Sequence, residues 1–140
     1  MNIKPKIGID QIKFGMYPKD IEKSFGKPDK YFQDDEQNQI YIYNNQKLTL
    51  TFYNDEDLKL GYITISNPKA ILLDLNPIGE IPTEFLKNIT QIKSWEHEDF
   101  DTFEHHFNED NWLILVSEFN QISKVELGVC IDKEEFLWPK

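Results

Sequence analysis

Apolar residues recur in this chain with two rhythms, and the switch between them divides it into elements. Between Pro18 and Gly26 the apolar positions Ile21 and Phe25 fall four apart, the spacing of one helical face. Pro18 suits the first helical position because its missing N–H needs no partner there. Asp20 and Glu22 complement the positive end of the helix dipole, and Gly26 suits a left-handed stop. From Lys30 the rhythm shortens to two. Strands are predicted over Lys30 to Gln33, Gln39 to Tyr43, Lys47 to Tyr53 and Leu58 to Ser66. In the third, Leu48, Leu50 and Phe52 alternate with Thr49, Thr51 and Tyr53. The linkers Asp34-Asp35-Glu36, Asn44-Asn45 and Asn54-Asp55-Glu56-Asp57 are short and turn-forming, so consecutive strands should pair antiparallel.

The second half follows the same plan. A helix is predicted over Thr83 to Gln91, opened by Pro82, with Phe85 and Ile89 four apart. Strands are expected at about Thr102 to Phe107, Asn111 to Ser117 and Ile122 to Ile131, with Asn120-Gln121 as the last turn. Trp112-Leu113-Ile114-Leu115-Val116 is apolar on both faces, as a central strand is. The halves align: Gly15, Pro18 and Lys23 over Gly79, Pro82 and Lys87, and Leu60-x-x-Ile63-x-Ile65 over Ile122-x-x-Val125-x-Leu127. The shared step of three predicts a β-bulge near Gly61 and another near Ser123. The expected fold is therefore α+β. Two tandem helix-plus-antiparallel-sheet repeats (about 7–66 and 71–131) would form one sheet with helices packed on one face. Together with a short C-terminal tail they would make a single domain over 1–140.

Composition narrows the function. The formal charge is −10, from 25 acidic residues against 15 basic ones, and every basic residue is Lys. An acidic chain without Arg disfavours nucleic acid and anionic membrane as partners, because phosphate binding needs positive charge to displace counterions. The single cysteine, Cys130, allows no internal disulfide and sits in the apolar run Val129-Cys130-Ile131, where a buried structural thiol is expected. The N-terminus has no continuous apolar core of a signal peptide, so a cytoplasmic location is expected.

The pattern Gly8-Ile9-x-x-Ile12-x-Phe14-Gly15-Met16-x5-Ile21-x3-Phe25-Gly26-x-Pro28-Asp29, followed by Phe52-x5-Leu58, resembles the repeat of beta-lactamase-inhibitor-protein-like folds. Short bacterial lipoproteins of outer-membrane assembly share a related unit. The chain as a whole resembles small bacterial immunity-type proteins with two such units and a tail ending in Trp-Pro, here Trp138-Pro139. Its motifs specify turns and caps, so the resemblance carries fold more than activity. It departs from the secreted inhibitor in lacking disulfides and an export signal. What it implies is a sheet face presented to a protein partner.

Catalytic signatures are missing: there is no GxSxG and no Gly-rich phosphate loop before a helix. No enzyme activity and no cofactor are expected. The segment His97 to Phe107 is dense in His and carboxylates, but adjacent His105 and His106 on a strand point to opposite faces and the spacing fits no zinc signature. No metal site is expected. The tyrosines offer more. Tyr41 and Tyr43 share one face of their strand, Tyr53 lies opposite Leu48, Leu50 and Phe52, and Tyr62 opposite Ile63 and Ile65. One sheet face studded with Tyr and Thr would suit a protein partner. The turns Asp34, Asp35, Glu36 and Asp55, Glu56, Asp57 would rim it with acid, and His106 marks a further contact in the second half. The expected function is a non-catalytic binding module, an immunity protein that neutralises a cognate, basic toxin by occlusion. The alternative is a small-molecule or signal-binding module with a cavity between helices and sheet.

Overall fold

The computed structural model of the chain describes residues 1–140. Three two-residue strands open it, β1 (Ile3–Lys4), β2 (Gly8–Ile9) and β3 (Ile12–Lys13), and helix α1 (Pro18–Phe25) follows. A meander comes next: β4 (Lys30–Gln33), β5 (Gln39–Tyr43), β6 (Leu48–Tyr53) and β7 (Lys59–Ile65). Helix α2 (Pro82–Asn88) precedes a second meander of β8 (Trp95–Asp99), β9 (Glu104–Asn108), β10 (Leu113–Glu118) and β11 (Gln121–Gly128). A small hairpin of β12 (Ile131–Asp132) and β13 (Glu135–Phe136) lies in the tail.

The two meanders form one antiparallel sheet in the order β4-β5-β6-β7-β11-β10-β9-β8. They meet where β7 pairs with β11, placing Ile65 opposite Val125 and Ile63 opposite Leu127. Pro18 does open α1: the Asp20 carboxylate accepts the N–H of Tyr17 at 2.9 Å, and Gly26 ends the helix at φ 76°.

The α+β expectation is overturned. Strands hold 43% of the residues and helices 13%, and one eight-stranded sheet dominates, in place of two helix-plus-sheet repeats with helices packed on one face. The reason is dimensional. Eight strands at about 4.8 Å spacing span roughly 34 Å across the sheet. Helices of 8 and 7 residues are only about 10–12 Å long. They cannot cover such a face. Most of the cover comes from β1–β3 (Ile3, Ile9, Ile12), Phe14 and the connecting segment (Ala70, Leu72). The helices add only Ile21 and Phe85 to the buried cluster, with Ile89 just past the end of α2. Against it the sheet presents Leu48, Leu50, Phe52, Leu60, Ile63, Ile65, Leu113, Leu115, Val125 and Leu127, all at or near zero exposure.

The step of three does mark two bulges. Thr51 faces Tyr62 while Phe52 faces Leu60, leaving Gly61 as the extra residue; Val116 faces Lys124 while Ser117 faces Ile122, leaving Ser123. The aligned glycines also share a geometry that requires glycine, with φ 94° at Gly15 and 93° at Gly79. Each donates its N–H to the strand residue before a bulge, Gly15 to Leu60 O and Gly79 to Ile122 O. The last turn sits one residue earlier than expected, at Phe119-Asn120, both left-handed.

Candidate functional site

In a meander the first and third turns fall at the same end of the sheet, so the β4–β5 and β6–β7 turns are neighbours. Asn38 joins them by accepting the N–H of Asn54 on its Oδ1 at 2.9 Å. Between them opens a cleft of about 390 Å³ lined by Glu36, Asn38, Tyr53, Asp55, Glu56 and Phe136. Its floor is aromatic. The Tyr53 ring lies 5.5 Å from Phe136, and Phe136 lies 5.4 Å from Trp138, over which the Lys59 ammonium sits at 5.2 Å. Burial, and then the Glu36 carboxylate, push the Tyr53 hydroxyl up to about 12. Three carboxylates around a partly buried aromatic floor have the charge and shape to suit a cationic side chain.

The expected contact residues therefore divide. Tyr53, Glu36, Asp55 and Glu56 come together in this cleft. Asp35 and Asp57 are exposed on the same two turns, outside its lining. Asp34 is spent within its own turn, its carboxylate accepting the N–H groups of Glu36 and Asn38 at 2.9 Å each. Tyr62 donates its hydroxyl to Glu126 across the β7–β11 seam; burial, and then this bond, raise its pKa.

Tyr41 and Tyr43 are corrections. Cross-strand register pairs them with Leu50 and Leu48, so they point into the core at 8% and 2% exposure, away from Thr51 and Tyr62. There they fasten α1: Tyr41 donates to Glu22 at 2.7 Å and Tyr43 to the Gly26 carbonyl at 2.8 Å. The expectation of a single Tyr-studded face fails because phase was assigned strand by strand, and the pairing register joins Ile40 and Ile42, not the tyrosines, to the threonine face. His106 is likewise no surface contact, being 6% exposed on the core-facing side of β9.

The β8–β9 hairpin holds a second group. His97 pairs with His106 and Asp99 with Glu104, so all four project from one face as a square. The two imidazoles stack at 4.9 Å, and His97 Nε2 lies 2.8 Å from Glu104 and 3.2 Å from Asp99. Its bond to Glu104 raises the His97 pKa, whereas burial lowers that of His106. Sequence reasoning rightly separated His105 from His106 but missed the partners across the hairpin, because β8 was not predicted. The alternation His97-x-Asp99 and Glu104-x-His106 about a short linker was the available signal. Cys130 is buried and donates to Asp110 O at 3.6 Å, as a structural thiol does.

No known family model matches the chain, and neither does any curated protein. Solved structures do. A DUF4309-family protein of Bacillus subtilis superposes with a TM-score of 0.58 at 15% identity, over 86% of this chain and 83% of that one. An SCP-domain-containing extracellular protein of Bacillus anthracis gives 0.54 at 11% identity over 94% of this chain and 50% of its own. A cysteine-rich secretory protein of Staphylococcus aureus gives 0.53 at 17% over 91% and 48%. The chain thus spans about half the length of the last two. At such identities the likeness establishes a shared fold and nothing further. It does not bear on the resemblance to beta-lactamase-inhibitor-like or immunity proteins.

Proposed function

We propose that this chain is a non-catalytic protein-binding module that receives a basic partner at the acidic, aromatic-floored cleft between the β4–β5 and β6–β7 turns. The observation that carries this reading is the convergence of Glu36, Asp55 and Glu56 around Tyr53 and Phe136. The net charge of −10 adds long-range attraction that speeds encounter with a basic protein, while the desolvated aromatic floor supplies contact energy. The narrower form of the proposal is an immunity protein whose partner is a cognate toxin, blocked by occlusion. No helix is long and apolar enough to cross a membrane. Two fold neighbours are described as extracellular or secretory, so the fold gives no support to the cytoplasmic expectation. The alternative of a ligand cavity between helices and sheet is not favoured: a cleft of about 660 Å³ lies elsewhere, between Pro5-Lys6-Ile7 and the tail.

The test is co-expression with the products of adjacent open reading frames, scoring rescue from toxicity and co-purification. A salt-sensitive complex with a basic product, lost when Glu36, Asp55 and Glu56 are all changed to Lys, is the expected result. No complex with any neighbour, or a complex that the triple substitution leaves intact, refutes the reading.

A further inference from the structure

The β8–β9 hairpin lies at the opposite edge of the sheet from the acidic cleft, and protein binding leaves its chemistry unexplained. Only two buried side-chain polar atoms in the protein lack a hydrogen-bond partner, His106 Nε2 and Ser117 Oγ. Both flank Glu104: His106 is two residues along the same strand face, and Ser117 lies directly across on β10. An orphaned buried polar atom has lost its water without gaining a partner, a cost that a bound ligand would relieve. An ion pair explains His97 but not His106, whose Nε2 stops 3.9 Å short of Glu104.

We propose that His97, Glu104 and His106 form a binding site for one borderline divalent cation of the zinc class. The ligating atoms of these three residues lie within 4.8 Å of one another. A tetrahedral ion with ligands at about 2.0–2.1 Å needs them about 3.3 Å apart. The distances of 2.8 Å from His97 to Glu104 and 3.9 Å from His106 to Glu104 bracket that edge for two of the three pairs, and the stacked imidazoles, now 25° apart in plane, close the site by turning about χ until their lone pairs converge. Two imidazoles and one carboxylate select Zn²⁺ over the hard cations Mg²⁺ and Ca²⁺. Burial lowers the His106 pKa and so favours the neutral imidazole, the form that coordinates.

The remaining position has a candidate within reach. Asp99 Oδ1 stands 3.2 Å from His97 Nε2, and its side chain is free to swing, being 72% exposed. With Asp99 bound, the ion would clasp two strands in a closed four-ligand structural site, pinning the terminal strand β8 to β9. Ser117 lies directly across from Glu104 on the neighbouring strand with its Oγ unpartnered, and in the loaded site it would donate to Glu104 and orient it, the usual work of an outer partner.

The full chain, stripped with a chelator, should be titrated with Zn²⁺ by calorimetry and with Co²⁺ by visible absorption. One ion per chain is expected, with the intense Co²⁺ bands of four-coordinate geometry and no competition from millimolar Mg²⁺. His97→Ala removes a half-exposed ligand without opening the core, so it should fold and lose about 100-fold in affinity or more. Glu104→Gln should lose a comparable factor. His105→Ala, on the opposite face, should bind as the parent does. Failure of the parent to bind one Zn²⁺, unchanged binding by His97→Ala, or an equal loss in His105→Ala each overturns the proposal.

Discussion

The Gly61→Ala substitution tests how the tail, the bulge and the binding cleft are joined. A Cβ at Gly61 would meet Tyr53 Cε2 at 2.1 Å, Cδ2 at 2.3 Å and Cζ at 2.6 Å, so the ring must leave. Tyr53 cannot move alone, because it packs on Phe136, Phe136 on Trp138, and Trp138 against Gly15. Overpacking of this kind costs about 1–3 kcal/mol. A lost aromatic pair adds about 0.5–1.5 kcal/mol. Against this stands a gain of about 0.4–1 kcal/mol from the stiffer unfolded chain, available because Gly61 has no left-handed φ. The net expectation is a loss of about 2 kcal/mol, or a fall in Tm of about 6–8 °C for a domain of this size. Urea denaturation with an unchanged m-value measures it. The decisive comparison is the double-mutant cycle: with Tyr53→Ala already present, Gly61→Ala should become neutral or slightly stabilising, a coupling above about 1 kcal/mol. An equal cost in both backgrounds, or a stabilised single variant, refutes the argument. Since Tyr53 floors the cleft, the single variant should also weaken partner binding.

Two other outcomes follow from buried tyrosines. Tyr43→Phe removes the hydrogen bond to the Gly26 carbonyl at the end of α1 while keeping the ring, and should cost about 1 kcal/mol in denaturant melts; no change would mean water replaces the hydroxyl. Alkaline stability should fall between about pH 10 and 12. Burial pushes Tyr43 and Tyr53 up to about 12 and raises Tyr41 and Tyr62 as well. In that window the native state holds protons that the unfolded state has released. Their stabilising effect is therefore complete below about pH 10 and is lost as pH climbs towards the folded pKa. The tyrosinate absorbance of Tyr41, Tyr43, Tyr53 and Tyr62 should rise together with loss of circular dichroism; ionisation of these four near pH 10 in a still-folded protein would contradict this.

The sequence by itself determined the first meander, the last three strands of the second, and their local punctuation. Pro18 and Gly26 bound α1, alternation from Leu48 to Tyr53 marked β6, and the step of three placed bulges at Gly61 and Ser123. These are legible because helix starts, stops and strand phase are decided by residues within a few positions of one another. Strands β1–β3 and β8 were not legible, the first three because two-residue strands are too short for a period to register, and β8 because its residues are nearly all exposed and charged. Only the tertiary structure decided which face each strand turned inward. Register between strands moved Tyr41 and Tyr43 into the core and set Ile40 and Ile42 on the threonine face. Pairing across the hairpin likewise brought His97 and Asp99 to His106 and Glu104. Such relations are set by the register between paired strands, where burial of the whole face outweighs the preference of any one residue, and the phase within a single strand does not encode them.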